Sequence, residues 1–402
     1  MSGRLRGLAV NAAILVASGT LALAGSEVGL RLVIPPARGY FVRLPGERIR
    51  TQVQPGLLPG VVGPARYTVN RFGIRGRGFG LDLAEYRILA VGGSATECLV
   101  LDDTVAWSYR LEIDLPNTTD GRRPWVGNVG RSGHTAREHA VQLKYLLPQF
   151  PRIDVVVALV GANDMAAALA QGWGYRRPPP ITDPAAERER LTRAFVSLPG
   201  RLDTLTGGAP RTWYRTTALW QLARRARSSY WARRDVRPGE DLRRLRAHRA
   251  ASPHLDSLPP LDLPLGEYRT NLEAMVAATR SAGARLVLVT QPAMWSDHLG
   301  QDAERLLWFG WIGGRADSAK AYYMSGVLAS AMDAYNAALL EVCRAAGVEC
   351  VDAAATLPKD TSVFYDDLHF NVAGSYALAG VLHAYLASHP PFVGDDGSTS
   401  RP

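Results

Sequence analysis

The chain has 402 residues, 47% apolar and 21% charged, a balance that excludes a wholly disordered chain, a collagen and a multi-span membrane protein. Three cysteines are too few for a disulfide scaffold and form no paired CxxC zinc pattern. The formal charge of +9 points to anionic partners and says nothing of the fold.

Residues 1–34 read as a signal anchor or signal peptide. Arg4 and Arg6 precede an apolar run from Leu8 to Ala24, broken only by Asn11, Ser18, Gly19 and Thr20, and no acid appears before Glu27. Basic residues ahead of an apolar core hold the N-terminus in the cytoplasm and send the following chain outward. The run is about 17 residues, the lower edge for a spanning helix. Ala22-Leu23-Ala24 has signal-peptidase spacing, but apolar character resumes from Val28 to Ile34, which favours an anchor. Either reading puts the body in the periplasm or outside the cell, where a disulfide persists. Cys343 and Cys350 flank a helix-to-strand turn at Gly347; the sequence leaves open whether they are joined.

Residues 35–84, rich in Pro, Gly and Arg, predict a linker and a small irregular or β layer. From residue 85 to 389 the pattern is that of one α/β domain. Short apolar cores at 87–93, 125–130, 153–164, 284–292 and 347–353 predict strands covered on both faces. Helical periodicity fills 134–150, 267–283 and 327–347, the last two ending at Gly283 and Gly347. Alternating β and α predicts a three-layer α/β/α domain on a five-stranded parallel sheet. Residues 165–265 interrupt the rhythm with 18 arginines against nine acids, an excess equal to the net charge of the whole chain. They predict a helical cap insertion. Its run 211–234 interleaves Trp213, Tyr214, Trp220, Tyr230 and Trp231 with arginines and suits a solvated basic face, an anionic membrane surface or an acidic polysaccharide. The tail 390–402 predicts disorder.

Four motifs fall just past predicted strand ends or in a late loop, where a parallel sheet places function. Gly92-Gly93-Ser94-Ala95-Thr96 turns from strand to helix and can present the Ser94 hydroxyl. Asn128 to Thr135 contains Gly133, which lets the backbone aim an N–H at a ligand. Gly161-Ala162-Asn163-Asp164 offers the Asn163 amide as a donor to an oxyanion, or as a helix cap. Tyr365 to Asn371 contains a D-x-x-H spacing in which Asp366 can reach His369 Nδ1 and leave Nε2 free to take a proton; Asp367 competes for that role. Each motif alone has an ordinary structural reading. Together, in chain order, they supply a nucleophile, oxyanion donors, a base and its orienter.

This set resembles the SGNH hydrolases, the GDSL esterase/lipase superfamily. The resemblance aligns Ser94 with the nucleophile, Gly133 and Asn163 with the oxyanion-hole residues, and His369 and Asp366 with the last block. Gly93 stands where the GDS form has Asp. Tyr67-x-x-Asn70-x-x-Gly73-x-Arg75-Gly76 is similar to a segment upstream in exported bacterial members. The resemblance implies a flavodoxin-like fold, no cofactor and a Ser94–His369–Asp366 triad. It also implies an oxyanion hole from the Ser94 and Gly133 N–H groups and the Asn163 amide, and hydrolysis of short-chain or carbohydrate O-acyl esters. A periplasmic O-acyltransferase or deacylase acting on an exopolysaccharide, and a non-catalytic glycan-binding protein, are the alternatives. No metal site is expected, since His134 and His139 lack an HExxH pattern, and no nucleic-acid partner. The expected partners are an ester substrate and, through the N-terminal segment, a membrane. Trp308, Phe309 and Trp311 read as packing, or as a stacking platform for a sugar.

Overall fold

Five apolar runs become one parallel sheet because both of its faces are covered by helices. In the computed structural model, residues 2–33, 39–80, 83–178, 184–196 and 233–393 are described, with positions 198, 217 and 219. The strands are β1 (Glu85–Gly92), β2 (Arg123–Asn128), β3 (Val155–Leu159), β4 (Arg285–Val289) and β5 (Glu349–Val351), in spatial order β5-β4-β3-β1-β2. Every neighbouring pair is parallel. All five residues of β3 are buried, as its unbroken Val-Val-Val-Ala-Leu sequence requires at the centre of a covered sheet.

The helices among the described residues include α1 (Ser2–Val33), α2 (Ser94–Glu97), α3 (Trp107–Asp114), α4 (Ala136–Leu146), α5 (Ala162–Gln171), α6 (Pro184–Ala194), α7 (Glu240–Ala251), α8 (Asp262–Ser281), α9 (Ser325–Ala346) and α10 (Val372–Ala387), besides the single turns Gln301–Glu304 and Ala353–Thr356. Helix α8 packs between α4 and α9, while α3 packs on α10. These are the two outer layers of a three-layer α/β/α arrangement. The order 2-1-3-4-5 is that of flavodoxin-like sheets, and it reverses between β1 and β3. In sheets of this order the ligand crevice lies at the carboxyl ends of the strands flanking the reversal, so the loops after β1 and β3 are where a ligand is expected.

The region after α5 is not purely helical. Arg233–Val236 pairs parallel with Arg48–Gln52, which pairs antiparallel with Pro64–Thr68. A strand from the arginine-rich stretch thus completes the small layer formed by the residues before β1. A second small sheet joins His254–Leu255, Ala321–Tyr323 and Trp311–Ile312. Most of the run 211–234, including its five aromatics, and the tail beyond 393 lie outside the described residues. Cys343 on α9 and Cys350 on β5 are joined as a disulfide across the Gly347 turn, Cα atoms 6.2 Å apart, and Cys98 is a buried free thiol. In α1 the segment Val10–Leu30 is long and apolar enough to cross a membrane, and none of it is buried against the rest of the chain.

Candidate active site

The Ser94 turn is built by residues that leave no room for side chains. Gly92 has φ 158, and a Cβ there would collide with the Leu159 carbonyl and Thr96; at Gly93 it would strike the Asn163 amide nitrogen. Ser94 therefore follows β1 directly and opens α2. Behind it, the Tyr67 to Gly76 motif acts as a brace. The Arg75 guanidinium, 2% exposed, donates to the carbonyls of Glu97, Cys98 and Leu101 at 2.6, 3.1 and 2.7 Å. It also pairs with Asp103 at 2.9 Å and lies over the Tyr67 ring. Asn70 holds its own loop by accepting from the Phe72 and Ile74 amides.

The Gly133 loop is tied twice to the Ser94 turn and once to the start of α5. The Arg131 amide donates to the Gly92 carbonyl at 2.9 Å. The Ser132 amide donates to Glu97 at 2.7 Å, and the same buried carboxylate pairs with Arg43. The Asn163 amide donates to the His134 carbonyl at 2.8 Å. Gly133 itself has φ 79, a left-handed conformation that a glycine adopts at no steric cost. Its N–H makes no hydrogen bond among the described residues. Asp164, next to Asn163, accepts the Ala136 amide on both oxygens at 3.1 and 3.0 Å and so locks the start of α4 to the start of α5. Burial pushes its carboxyl up to about 8.

The last motif is a closed loop. Phe364 and Phe370 bridge antiparallel, and Asn371 caps α10 by accepting from the Gly374 amide at 2.9 Å. This folds Asp366 back on His369, whose Nδ1 lies 2.8 and 2.9 Å from the two carboxylate oxygens. The opposite ring nitrogen, Nε2, lies 2.6 Å from Ser94 Oγ, across 275 positions of sequence. Hydroxyl, imidazole and carboxylate stand in line. Burial drives the Asp366 carboxyl up, but His369 and the hydrogen bonds from His369 and Trp308 outweigh it and hold the group below the ordinary value. Burial pulls His369 down, and Asp366, helped by Asp367, lifts it above the ordinary imidazole value.

The structure thus joins Ser94 to His369 and His369 to Asp366, places Gly133 on a loop bonded to the Ser94 turn, and places Asn163 where it bonds to the Gly133 loop. The motif reading leaves out Trp308, whose indole Nε1 donates to Asp366 Oδ2 at 2.9 Å. Nothing in its sequence neighbourhood signals this, because 58 positions separate the two residues. A cavity of ≈ 610 Å³ lies between α4, α6 and α8 and is lined by none of Ser94, Gly133, Asn163, Trp308, Asp366 and His369.

A doubly wound α/β sheet with a serine–imidazole–carboxylate line at the ends of its strands defines a class of acyl-transferring hydrolases. The GDSL-like Lipase/Acylhydrolase family matches residues 90–377; the chain belongs to this family and is an ester-hydrolysing enzyme. Among solved structures it is similar to Axe2, an acetylxylan esterase from Geobacillus stearothermophilus, at 15% identity over 76% of this chain and 95% of that one, TM-score 0.38. It is also similar to LAE5, an alpha/beta hydrolase enzyme from the metagenome of Lake Arreo, Spain, at 15% identity over 76% and 96% of the two chains, TM-score 0.38. No curated protein matches the sequence.

Proposed function

We propose that this enzyme is a serine esterase that cleaves short-chain or carbohydrate O-acyl esters through an acyl-enzyme on Ser94. The observation that carries the reading is the 2.6 Å approach of His369 Nε2 to Ser94 Oγ. A serine hydroxyl is a weak nucleophile without a base at this range. His369 takes the Ser94 proton as Oγ attacks the acyl carbonyl. Asp366 holds the ring in the Nδ1–H tautomer and stabilises the imidazolium. The oxyanion is received by the Ser94 and Gly133 N–H groups and by the Asn163 amide, which keeps one N–H for this purpose while the other holds His134. His369 then gives its proton to the leaving alcohol, and water attacks the acyl-enzyme with the same base.

The exposed apolar α1 supports an N-terminal anchor, with the catalytic unit on the exported side of the membrane. The Cys343–Cys350 bond supports the same placement, since disulfides persist in oxidising compartments.

Turnover of a short-chain aryl ester by the Ser94→Ala variant tests the chemistry. Loss of turnover together with loss of labelling by a fluorophosphonate is expected; full activity ends the serine-esterase reading. Fractionation tests the anchor: the intact chain stays with membranes through a high-salt wash, and recovery in the soluble fraction rejects it.

A further inference from the structure

The geometry points to Trp308 as a positioning residue that acts on His369 through Asp366. This rests on the triad reading above and adds a fourth member to it. Asp366 is 2% exposed at its side chain, and its acceptor sites are filled one by one. Oδ1 takes the backbone amides of Leu368 and His369 at 3.2 and 3.0 Å. His369 Nδ1 lies across both oxygens. The remaining site on Oδ2 takes the Trp308 indole N–H.

Trp308 is itself fixed from several directions. Its own amide donates to Asp367 Oδ2 at 2.9 Å. The carbonyls on either side of it are held by arginines of α7: Leu306 by Arg246 at 3.0 Å and Phe309 by Arg249 at 2.8 Å. Arg246 also donates to the Tyr365 carbonyl at 3.2 Å, next to Asp366. The indole and imidazole rings are parallel to within 1°, with centroids 6.4 Å apart.

A donor on Oδ2 draws charge from the carboxylate and stops it rotating. Without it, fuller negative charge faces Nδ1, and His369 holds its proton more tightly. The ring then gives up that proton less readily to the leaving alcohol. The other groups facing this pair are Asp367, the Tyr365 ring 5.5 Å from His369, and Arg246 and Arg249 of α7. None of them reaches Oδ2 with a hydrogen bond among the described residues.

The experiment is the pH profile of aryl-ester hydrolysis by the full chain with Trp308→Phe, alone and with Asp366→Asn. Alone, it lowers kcat about tenfold and leaves KM within about twofold, and the acid limb of kcat/KM moves up by about half a pH unit. With Asp366→Asn already present, Trp308→Phe has no further effect, because the acceptor through which it acts is gone. An unmoved limb with equal losses in both backgrounds overturns the inference and leaves Trp308 as packing. Trp308→Gln keeps an N–H donor and gives up the ring; it retains the wild-type limb, and a displaced limb there overturns the inference even if Trp308→Phe does not fold. Ser94→Ala separates the two claims. If it is inactive while the Trp308 variants leave the limb unmoved, only this inference fails; if it is active, the triad reading fails.

Discussion

Asp366 and Asp367 are adjacent in the chain and face different partners. Asp366 lies 2.8 Å from His369 Nδ1. Asp367 accepts the Trp295 indole at 2.9 Å and the Trp308 and Phe309 amides at 2.9 and 3.3 Å. Their environments push them apart as well: Asp366 is held below the ordinary carboxylate value, whereas burial and the neighbouring Asp366 charge push Asp367 up to about 6. Asp366→Asn is therefore expected to lower kcat about 10⁴-fold, since it removes the acceptor that sets the imidazole tautomer. Asp367→Asn lowers kcat less than about tenfold and acts mainly on thermal stability, through the 308–309 backbone. Steady-state kinetics of the two variants decide the roles, and the reverse order gives the orienting role to Asp367.

The pH dependence follows from the sign of the His369 shift. In the proposed mechanism the ring accepts a proton from Ser94, and it does so only when neutral. Its folded value lies above the ordinary 6.5, so kcat/KM falls as the pH drops through a limb above 6.5. The same shift makes protonated His369 a stabilising group. That contribution is fully present below the unfolded value and is lost as the pH rises through the folded one. A profile with a neutral ester checks this, and a limb well below 6.5 contradicts the Asp366–His369 coupling.

In the proposed mechanism Asn163→Ala removes one of three oxyanion donors and leaves two backbone N–H groups. The expected loss in kcat is about 10²–10³-fold with KM little changed, so a remnant stays measurable where Ser94→Ala shows none. A variant as inactive as Ser94→Ala, with an unchanged melting temperature, would show that Asn163 does more than donate.

Arg75→Met takes the guanidinium donor from the carbonyls of Glu97, Cys98 and Leu101, of which Cys98 keeps the Leu101 amide at 3.0 Å, and leaves Asp103 without its buried cation. Removing one partner of a buried pair costs about 3–5 kcal/mol, which urea denaturation reads directly. An unfolding free energy within about 1 kcal/mol of wild type, the range of an exposed ion pair, would remove the bracing role of this motif.

The local pattern of the sequence was enough to read the sheet. Val-rich runs of strand length, separated by helical periodicity, have few ways to cover their apolar faces, and the parallel α/β arrangement is the one that covers both. The site motifs were legible for a related reason. A serine on a Gly-Gly turn and a D-x-x-H loop are local geometries, set by neighbours a few positions away. The contacts that tertiary structure alone decided join distant positions with no local signature. They include Arg75 beneath Glu97, Trp308 on the carboxylate, and the strand Arg233–Val236 beside Arg48–Gln52. A guanidinium or an indole N–H is satisfied by any well-placed carbonyl or carboxylate. Which one it meets is set by the packing of helices and loops around it, because periodicity records which face of an element is buried and not what that face is buried against.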